Sequence, residues 1–168
     1  MKVLVSLVAA AACLTAAPAM AQVYGSVGYS GIKASDVDAN FGAITGRIGA
    51  HVNPYFGGEL EGSFGVKDDT VNVDGYDVKL KLDHELGAYV VGFWPVNDNF
   101  ELLGRVGYAN VQGSGSIGGV SVSDSGSGVA YGVGAQYFFT KHNGVRADYT
   151  RDEAAGDNVW TLSYAFRF

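Results

Sequence analysis

The chain of 168 residues contains a single cysteine, Cys13, and only three prolines. One cysteine cannot form an intramolecular disulfide, so stability has to come from packing and hydrogen bonding. Basic residues are also scarce, with 11 lysines and arginines against 17 aspartates and glutamates and a net charge of −6. Because nucleic-acid phosphates need a clustered basic face, this composition argues against a nucleic-acid partner.

Long apolar runs are missing after Ala21, because glycine, polar and charged residues interrupt each of them. The one sustained run, Val3–Ala12, follows a lysine and is shorter than the roughly 20 apolar residues of a transmembrane helix. Pro18–Ala21 then ends in the small-x-small pattern that precedes signal-peptidase cleavage. We therefore predict a cleaved signal peptide over residues 1–21, Sec-type export, and a single mature domain over residues 22–168.

What the mature chain does have is alternation. In its last eleven residues large apolar side chains occupy every second position, at Trp160, Leu162, Tyr164, Phe166 and Phe168. This two-residue period predicts a strand with one face in an apolar medium and the other in a polar one. Similar alternation predicts eight strands, most of them near the roughly 9 to 11 residues of a tilted membrane strand. They are Val23–Lys33, Phe41–Val52, Phe56–Val66, Val78–Gly92, Phe100–Val111, Gly128–Phe138, Val145–Thr150 and Asn158–Phe168.

The two predicted faces differ sharply, one being apolar and the other charged. A soluble lipocalin-like barrel with its apolar face inside would show the same period. Three features favour the inverted arrangement, with lipid on the apolar face: short joins after the even strands, aromatic residues near both strand ends, and 25 glycines. We predict an all-β fold, an eight-stranded antiparallel transmembrane up-and-down β-barrel with short turns in the periplasm.

The charged face defines the first candidate site. An eight-stranded barrel is just wide enough for side chains to fill it. We expect a lumen charge network formed by Arg47, Glu59, Glu61, Glu85, Glu101, Arg105, Arg146 and Asp148. Such a network is interpreted as a structural plug, and a narrow channel for small solutes or ions is the alternative.

Three segments give the mature chain a family resemblance: residues 23–29, residues 53–61 and residues 164–168. With them it resembles the small eight-stranded outer-membrane proteins of Gram-negative bacteria, the OmpA-like and OmpX-like barrels with a porin-like β-barrel domain. The resemblance implies outer-membrane residence, contact with outer-membrane lipids and lipopolysaccharide, and assembly by periplasmic chaperones and the barrel-assembly machinery. It also implies that Tyr164, Phe166 and Phe168 form the signal read by that machinery.

Enzymatic activity is the least favoured alternative. Some barrels of this size modify lipid A, and the resemblance implies that they need a histidine with a serine and an acid at fixed places. Among His51, His84 and His142, only His84 is predicted at the outer-leaflet end, and Leu86 stands where the serine is needed. The histidine spacing also lacks a metal-ligand pattern, so we predict neither a metal site nor a cofactor.

The joins after odd strands carry the remaining surface. Residues 111–127 hold six serines and five glycines, and residues 68–77 hold four aspartates. These compositions are typical of flexible, solvated loops. We therefore predict a non-enzymatic, monomeric protein. Its role is either structural, in membrane integrity, or one of surface interaction or adhesion, in which the extracellular loops bind a host or surface ligand.

Overall fold

The computed structural model describes residues 22–34, 40–67, 69–73, 76–117, 120–153 and 156–168. The predicted signal peptide, residues 1–21, lies outside these ranges. No helix within them is long and apolar enough to cross a membrane. The described residues form nine strands: β1 (Val23–Ala34), β2 (Asn40–Asn53), β3 (Phe56–Lys67), β4 (Asp69–Val73), β5 (Tyr76–Pro95), β6 (Phe100–Ile117), β7 (Val120–Phe138), β8 (Asn143–Asp152) and β9 (Asp157–Arg167).

Eight of the strands close into a barrel. Each pairs antiparallel with its neighbours in the order β1-β2-β3-β5-β6-β7-β8-β9, and β9 pairs back onto β1. The direct pairing of β3 with β5 leaves the short β4 outside this ring. Closure gives each barrel strand two partners, which satisfies backbone groups that would be costly to expose to hydrocarbon. The predicted eight-stranded antiparallel barrel is confirmed.

Two segments predicted as flexible loops are strands instead. β6 and β7 stay paired up to Ile117 and Val120, and β4 pairs with the start of β5 up to Val73 and Tyr76. Serine, glycine and aspartate indicate solvation, but composition does not reveal whether two segments face each other. The two strands of each hairpin, connected by only two residues, lie next to each other, and each satisfies the other's backbone hydrogen-bonding groups.

The long hairpins project beyond the barrel wall. β5, β6 and β7 have 20, 18 and 19 residues, about twice the 9 to 11 or so needed to cross a membrane. β4, β5, β6 and β7 therefore continue as a four-stranded sheet past one rim, which we call the hairpin end. β8 pairs with β7 only from Ala130 to Phe138, so residues 120–128 of β7 form an edge of this sheet.

The barrel is apolar outside and polar inside. Along β8 the burial alternates strictly, with Arg146, Asp148 and Thr150 buried and Val145 and Tyr149 exposed. Large apolar side chains elsewhere are exposed as well, among them Val133 at 65% and Phe64 at 63%. This arrangement is the opposite of a soluble lipocalin-like barrel and confirms the predicted inversion.

The other rim, which we call the turn end, is closed by three short turns built alike. In each, one side-chain oxygen accepts hydrogen bonds from the backbone N–H groups two and three residues ahead, an Asx-type or Ser/Thr-type turn. The accepting residues are Asn53, Asn97 and Thr140, at 2.9 to 3.3 Å. These local bonds explain why the joins after β2, β5 and β7 are short.

Candidate functional site in the barrel lumen

Four strands direct charged side chains into the middle of the lumen. The inward positions of β3 carry Glu59 and Glu61, and those of β8 carry Arg146 and Asp148. β2 contributes Arg47, which lies directly opposite Glu61 in the strand register. β6 contributes Arg105. Because the inward positions recur every second residue, each strand brings its charges to the same side without any bulge in this region.

Three arginines and three carboxylates form one closed network. Arg47 binds Glu61 through Nε and reaches Asp148 through Nη1 at 3.1 Å. Arg105 Nη1 lies 2.8 Å from Glu61 and 3.4 Å from Glu59. Arg146 completes the network, with Nη1 donating to Glu59 at 2.6 Å and Nε donating to Asp148 at 2.9 Å. The six formal charges cancel.

The network is buried almost completely. Its six side chains are at most 7% exposed, and those of Arg105 and Glu59 are at 0%. Charges in such an interior need partners because desolvation costs several kcal/mol or more per ion, and loss of one partner typically costs about 3–5 kcal/mol. Each charge therefore depends on its partners, and removing one member alone leaves another buried without compensation.

Tyr89 is a member of the site that sequence reasoning missed. The guanidinium of Arg105 stacks on its ring, with Cζ 3.6 Å from the centroid. This contact covers a group whose Nε and Nη2 make no hydrogen bond within the described part of the chain. A Cβ at Gly107 would come within 2.7 Å of the Tyr89 ring, so that glycine makes room for it. The sequence did contain a signal for Tyr89: it lies four residues after Glu85 on the same strand, and residues at even spacing share one face of a strand.

The turn end of the lumen holds a second, smaller pair. Glu101 binds Arg167 and accepts a hydrogen bond from Gln136 at 2.6 Å. The Arg167 guanidinium lies 3.6 Å from the ring centroid of Phe138. Glu101 therefore forms an ion pair near the rim, separate from the central network.

Aromatic rings seal the same end. Tyr24, His51 and Phe93 pack against one another, with centroid distances of 5.1 Å for Tyr24 and His51 and 4.2 Å for His51 and Phe93. Tyr24 and Phe93 are each 4% exposed. The ring of His51 thus packs between those of Tyr24 and Phe93.

Hydroxyl groups line the hairpin-end half of the lumen. Thr161, Ser30, Thr45 and Ser63 form a chain of hydrogen bonds across four neighbouring strands, at 2.7, 2.6 and 2.9 Å. Glu85 lies beside them at 7% exposure and lines a small cavity, about the size of one water molecule. The ion pairs of the described ranges do not include Glu85, and the cavity that it lines is bordered on the network side by Arg47 and Glu61.

The predicted residues therefore divide into three places. Six of the eight lumen charges form the central network, Glu101 forms the rim pair, and Glu85 faces the cavity. His84 pairs with the exposed Phe64, which puts it on the outward face, and His142 lies in a turn with Nδ1 3.1 Å from the Arg167 carbonyl. No three His, Cys, Asp or Glu side chains of the described ranges are grouped so that they could hold a metal ion.

The predicted assembly signal forms the end of β9. Tyr164 and Phe168 are exposed at 46% and 74%, and Phe166 and Phe168 contact edge to face at 5.3 Å between centroids. Phe168 N–H still donates to the carbonyl of Val23, so the last residue joins the β1–β9 seam. The three aromatics thus share the outward face at the place where the barrel closes.

A closed barrel with an apolar exterior and a charge-filled lumen belongs to the class of small outer-membrane β-barrels. A model of the family described as "Outer membrane protein beta-barrel domain" matches residues 3–168, and the chain belongs to that family. Its location is accordingly the outer membrane of Gram-negative bacteria. No curated protein matches the chain.

Solved structures agree on the fold. One is Ail, the attachment invasion locus protein of Yersinia pestis, solved in complex with the heparin analogue sucrose octasulfate. Ail is 23% identical to this chain with a TM-score of 0.63, and the match covers 88% of this chain and 99% of Ail. The N-terminal β-barrel domain of Pseudomonas aeruginosa OprF is 13% identical with a TM-score of 0.65, covering 88% and 97%. Neisserial surface protein A is 15% identical with a TM-score of 0.58, covering 88% and 95%. At these identities the similarity shows the fold alone.

Proposed function

We propose that this protein is a plugged, non-enzymatic outer-membrane barrel that supports membrane integrity and presents an interaction surface outside the cell. The observation that carries this proposal is the contrast between its two halves. The central network and the aromatic seal fill the lumen, whereas the β4–β7 sheet extends past the hairpin end. In barrels of this kind the short turns face the periplasm and the long connections face outward.

The projecting sheet supports the surface role. Residues 120–128 of β7 lack a neighbouring strand on the side away from β6, within the described chain. Such an edge offers backbone donors and acceptors to an extended segment of another protein, a recurring recognition mode. At roughly 3.4 Å per residue, the segment offers an edge about 30 Å long.

Charge indicates the kind of partner. Each of the four connections at the hairpin end, residues 34–40, 67–83, 112–128 and 152–158, contains more acidic than basic residues. A partner with a basic or neutral surface therefore fits better than a polyanion. The heparin analogue bound to Ail is not carried over to this chain for that reason.

Biogenesis completes the proposal. The signal-peptide pattern of residues 1–21 supports Sec-type export, and the outward-facing aromatics Tyr164, Phe166 and Phe168 support recognition by periplasmic chaperones and the barrel-assembly machinery. With all barrel edges paired, the transmembrane part needs no second copy, which supports a monomer.

The experiment compares the full chain with a variant in which residues 113–124 are replaced by Asn-Gly, a two-residue turn that keeps Gln112 opposite Ser125, in bacteria lacking the native gene. We expect both proteins to show heat-modifiable gel mobility and to restore resistance to detergents, because the barrel is unchanged. Only the full chain is expected to restore attachment to surfaces or cells. If both proteins restored attachment equally, the β6–β7 hairpin would not be the interaction surface.

The channel and enzyme alternatives have distinct readouts in the same cells. Steady single-channel conductance of the purified chain in planar bilayers would contradict a plugged lumen. A change in lipid A mass that depends on the chain, and is lost in His84→Ala, would contradict a non-enzymatic role.

A further inference from the structure

The small cavity on the hairpin-end side of the central network contains a carboxylate that the network does not use. Glu85 of β5 lines this cavity and is 7% exposed. The ion pairs and hydrogen bonds of the described ranges do not include its carboxylate. Each of the other carboxylates predicted for the lumen binds an arginine, namely Glu59, Glu61, Glu101 and Asp148.

The lining of the cavity is acidic. Besides Glu85 it includes Glu61 and Asp152, and Arg47 is the one basic residue among its described members. The charge of Arg47 is already matched, because its guanidinium binds Glu61 and reaches Asp148 at 3.1 Å. An ionised carboxylate without a partner is costly to bury, and a counter-charge offsets that cost. The cavity therefore favours a positive charge beside Glu85.

The remaining polar atoms of the lining are hydroxyl oxygens. They come from five strands and belong to Ser30, Thr45, Ser63, Thr150 and Thr161. Four of these hydroxyls are joined by three hydrogen bonds. Since a hydroxyl has one proton and two lone pairs, this chain retains more lone pairs than protons. Such an oxygen-rich, electron-rich lining suits a hard cation.

Size and charge indicate a monovalent ion. The cavity is about the size of one water molecule, which is close to the size of a dehydrated alkali-metal ion. Glu61, Glu85 and Asp152 do not form a group that could hold a metal ion by themselves. A divalent ion would therefore lack the carboxylates that usually bind it. One uncommitted carboxylate with neutral hydroxyls instead matches a single positive charge.

We propose that Glu85, together with the hydroxyls of Ser63 and Thr45, binds one alkali-metal cation, sodium or potassium, inside the lumen. Ser63 lies directly opposite Glu85 in the strand register, and its hydroxyl is 2.9 Å from that of Thr45. The expectation that the chain has no metal site came from the spacing of its histidines, and this site uses none. The inference goes beyond the proposed function and depends neither on the hairpins nor on the orientation of the barrel.

The test measures urea unfolding of the protein in phosphatidylcholine vesicles at neutral pH. Sodium chloride is exchanged for choline chloride at constant ionic strength, because choline is too large for the cavity. Only the folded barrel contains the site, so each tenfold rise in sodium above the dissociation constant is expected to raise the folding equilibrium constant about tenfold. The same series in potassium chloride determines which of the two ions binds more tightly.

Three variants locate the effect. Glu85→Gln keeps the shape of the side chain without its charge, and its stability should be the same in sodium and in choline. Ser63→Ala keeps Glu85 and should shift the sodium dependence to higher concentrations. Asp98→Asn is the matched control, since Asp98 is exposed in a turn at the opposite rim, and it should retain the full dependence.

A parent chain equally stable in all three salts, or a sodium dependence that persists in Glu85→Gln, would overturn the proposal. Rubidium locates the ion independently of stability, because it scatters X-rays anomalously. In crystals grown in rubidium chloride, an anomalous peak beside Glu85 would support the site. Anomalous density without a peak in the lumen would contradict it.

Discussion

At the residue scale, the lumen shows how a charged interior becomes stable. Period-two alternation was enough to predict that Arg47, Arg146 and Glu59 face inward. It was not enough to predict which charges meet, because partners such as Arg146 and Glu59 come from strands far apart in the chain, 87 residues in this case. Tyr89 was missed for a related reason, since its contact with Arg105 depends on how two walls face each other across the lumen.

The network predicts a large cost for removing one arginine. Arg146→Met leaves Glu59 and Asp148 buried without their shared guanidinium, and we expect the free energy of unfolding to fall by about 3–5 kcal/mol. Urea titration of the protein in lipid vesicles measures this change. Lys141→Met, in an exposed turn, is the control and should change stability by no more than about 0.5 kcal/mol. Similar losses in the two variants would mean that the network is not a source of stability.

At the element scale, the β6–β7 hairpin is the element whose structure differs most from the sequence-based prediction. Its serine and glycine content predicted a flexible loop, whereas the backbone pairs continue from Val111 and Gly126 out to Ile117 and Val120. Backbone hydrogen bonds do not depend on side-chain identity, so composition carries little information about them. Strand endings near the turn end were predicted more closely, because proline, asparagine and glycine there signal turns directly.

Amide hydrogen exchange distinguishes a paired hairpin from a flexible loop. Residues 113–116 of β6 pair on both sides, with β5 and β7. We therefore expect slow exchange at successive amides there, because N–H groups pointing either way are bonded. Residues 120–128 of β7 pair on one side only, so slow exchange should occur at alternate amides. Uniformly fast exchange across residues 111–127, measured by NMR in detergent, would contradict the hairpin.

At the scale of the whole molecule, the barrel inverts the usual distribution of side chains. Arg146 is 1% exposed whereas Leu162 is 58% exposed. The apolar side chains of the outer wall contact the hydrocarbon of the membrane and not a protein core. The polar side chains of the lumen satisfy one another through ion pairs and hydrogen bonds. The same arrangement in water would expose a large apolar surface and promote aggregation.

Depth-dependent quenching tests this inversion. In a Trp94→Phe background, Trp160 near the hairpin-end interface should be quenched more by bromines near the head groups than by bromines deep in the acyl chains. A variant with Leu162→Trp and both native tryptophans changed to Phe moves the reporter roughly 5 Å towards the bilayer centre, so its preference should shift to deeper bromines. Indifference of both reporters to lipid bromines would show that this face does not contact lipid.

The sequence by itself determined the strands of the barrel wall, their two faces and the inverted use of those faces, because a two-residue period and belts of aromatic residues are local properties of the chain. Only the tertiary structure decided the ion-pair partners, the contact of Arg105 with Tyr89, the separate places of Glu85 and Glu101, and the extended hairpins. Those features depend on strand register and on which walls meet across the lumen. Both are set when the barrel closes, by contacts between residues distant in sequence.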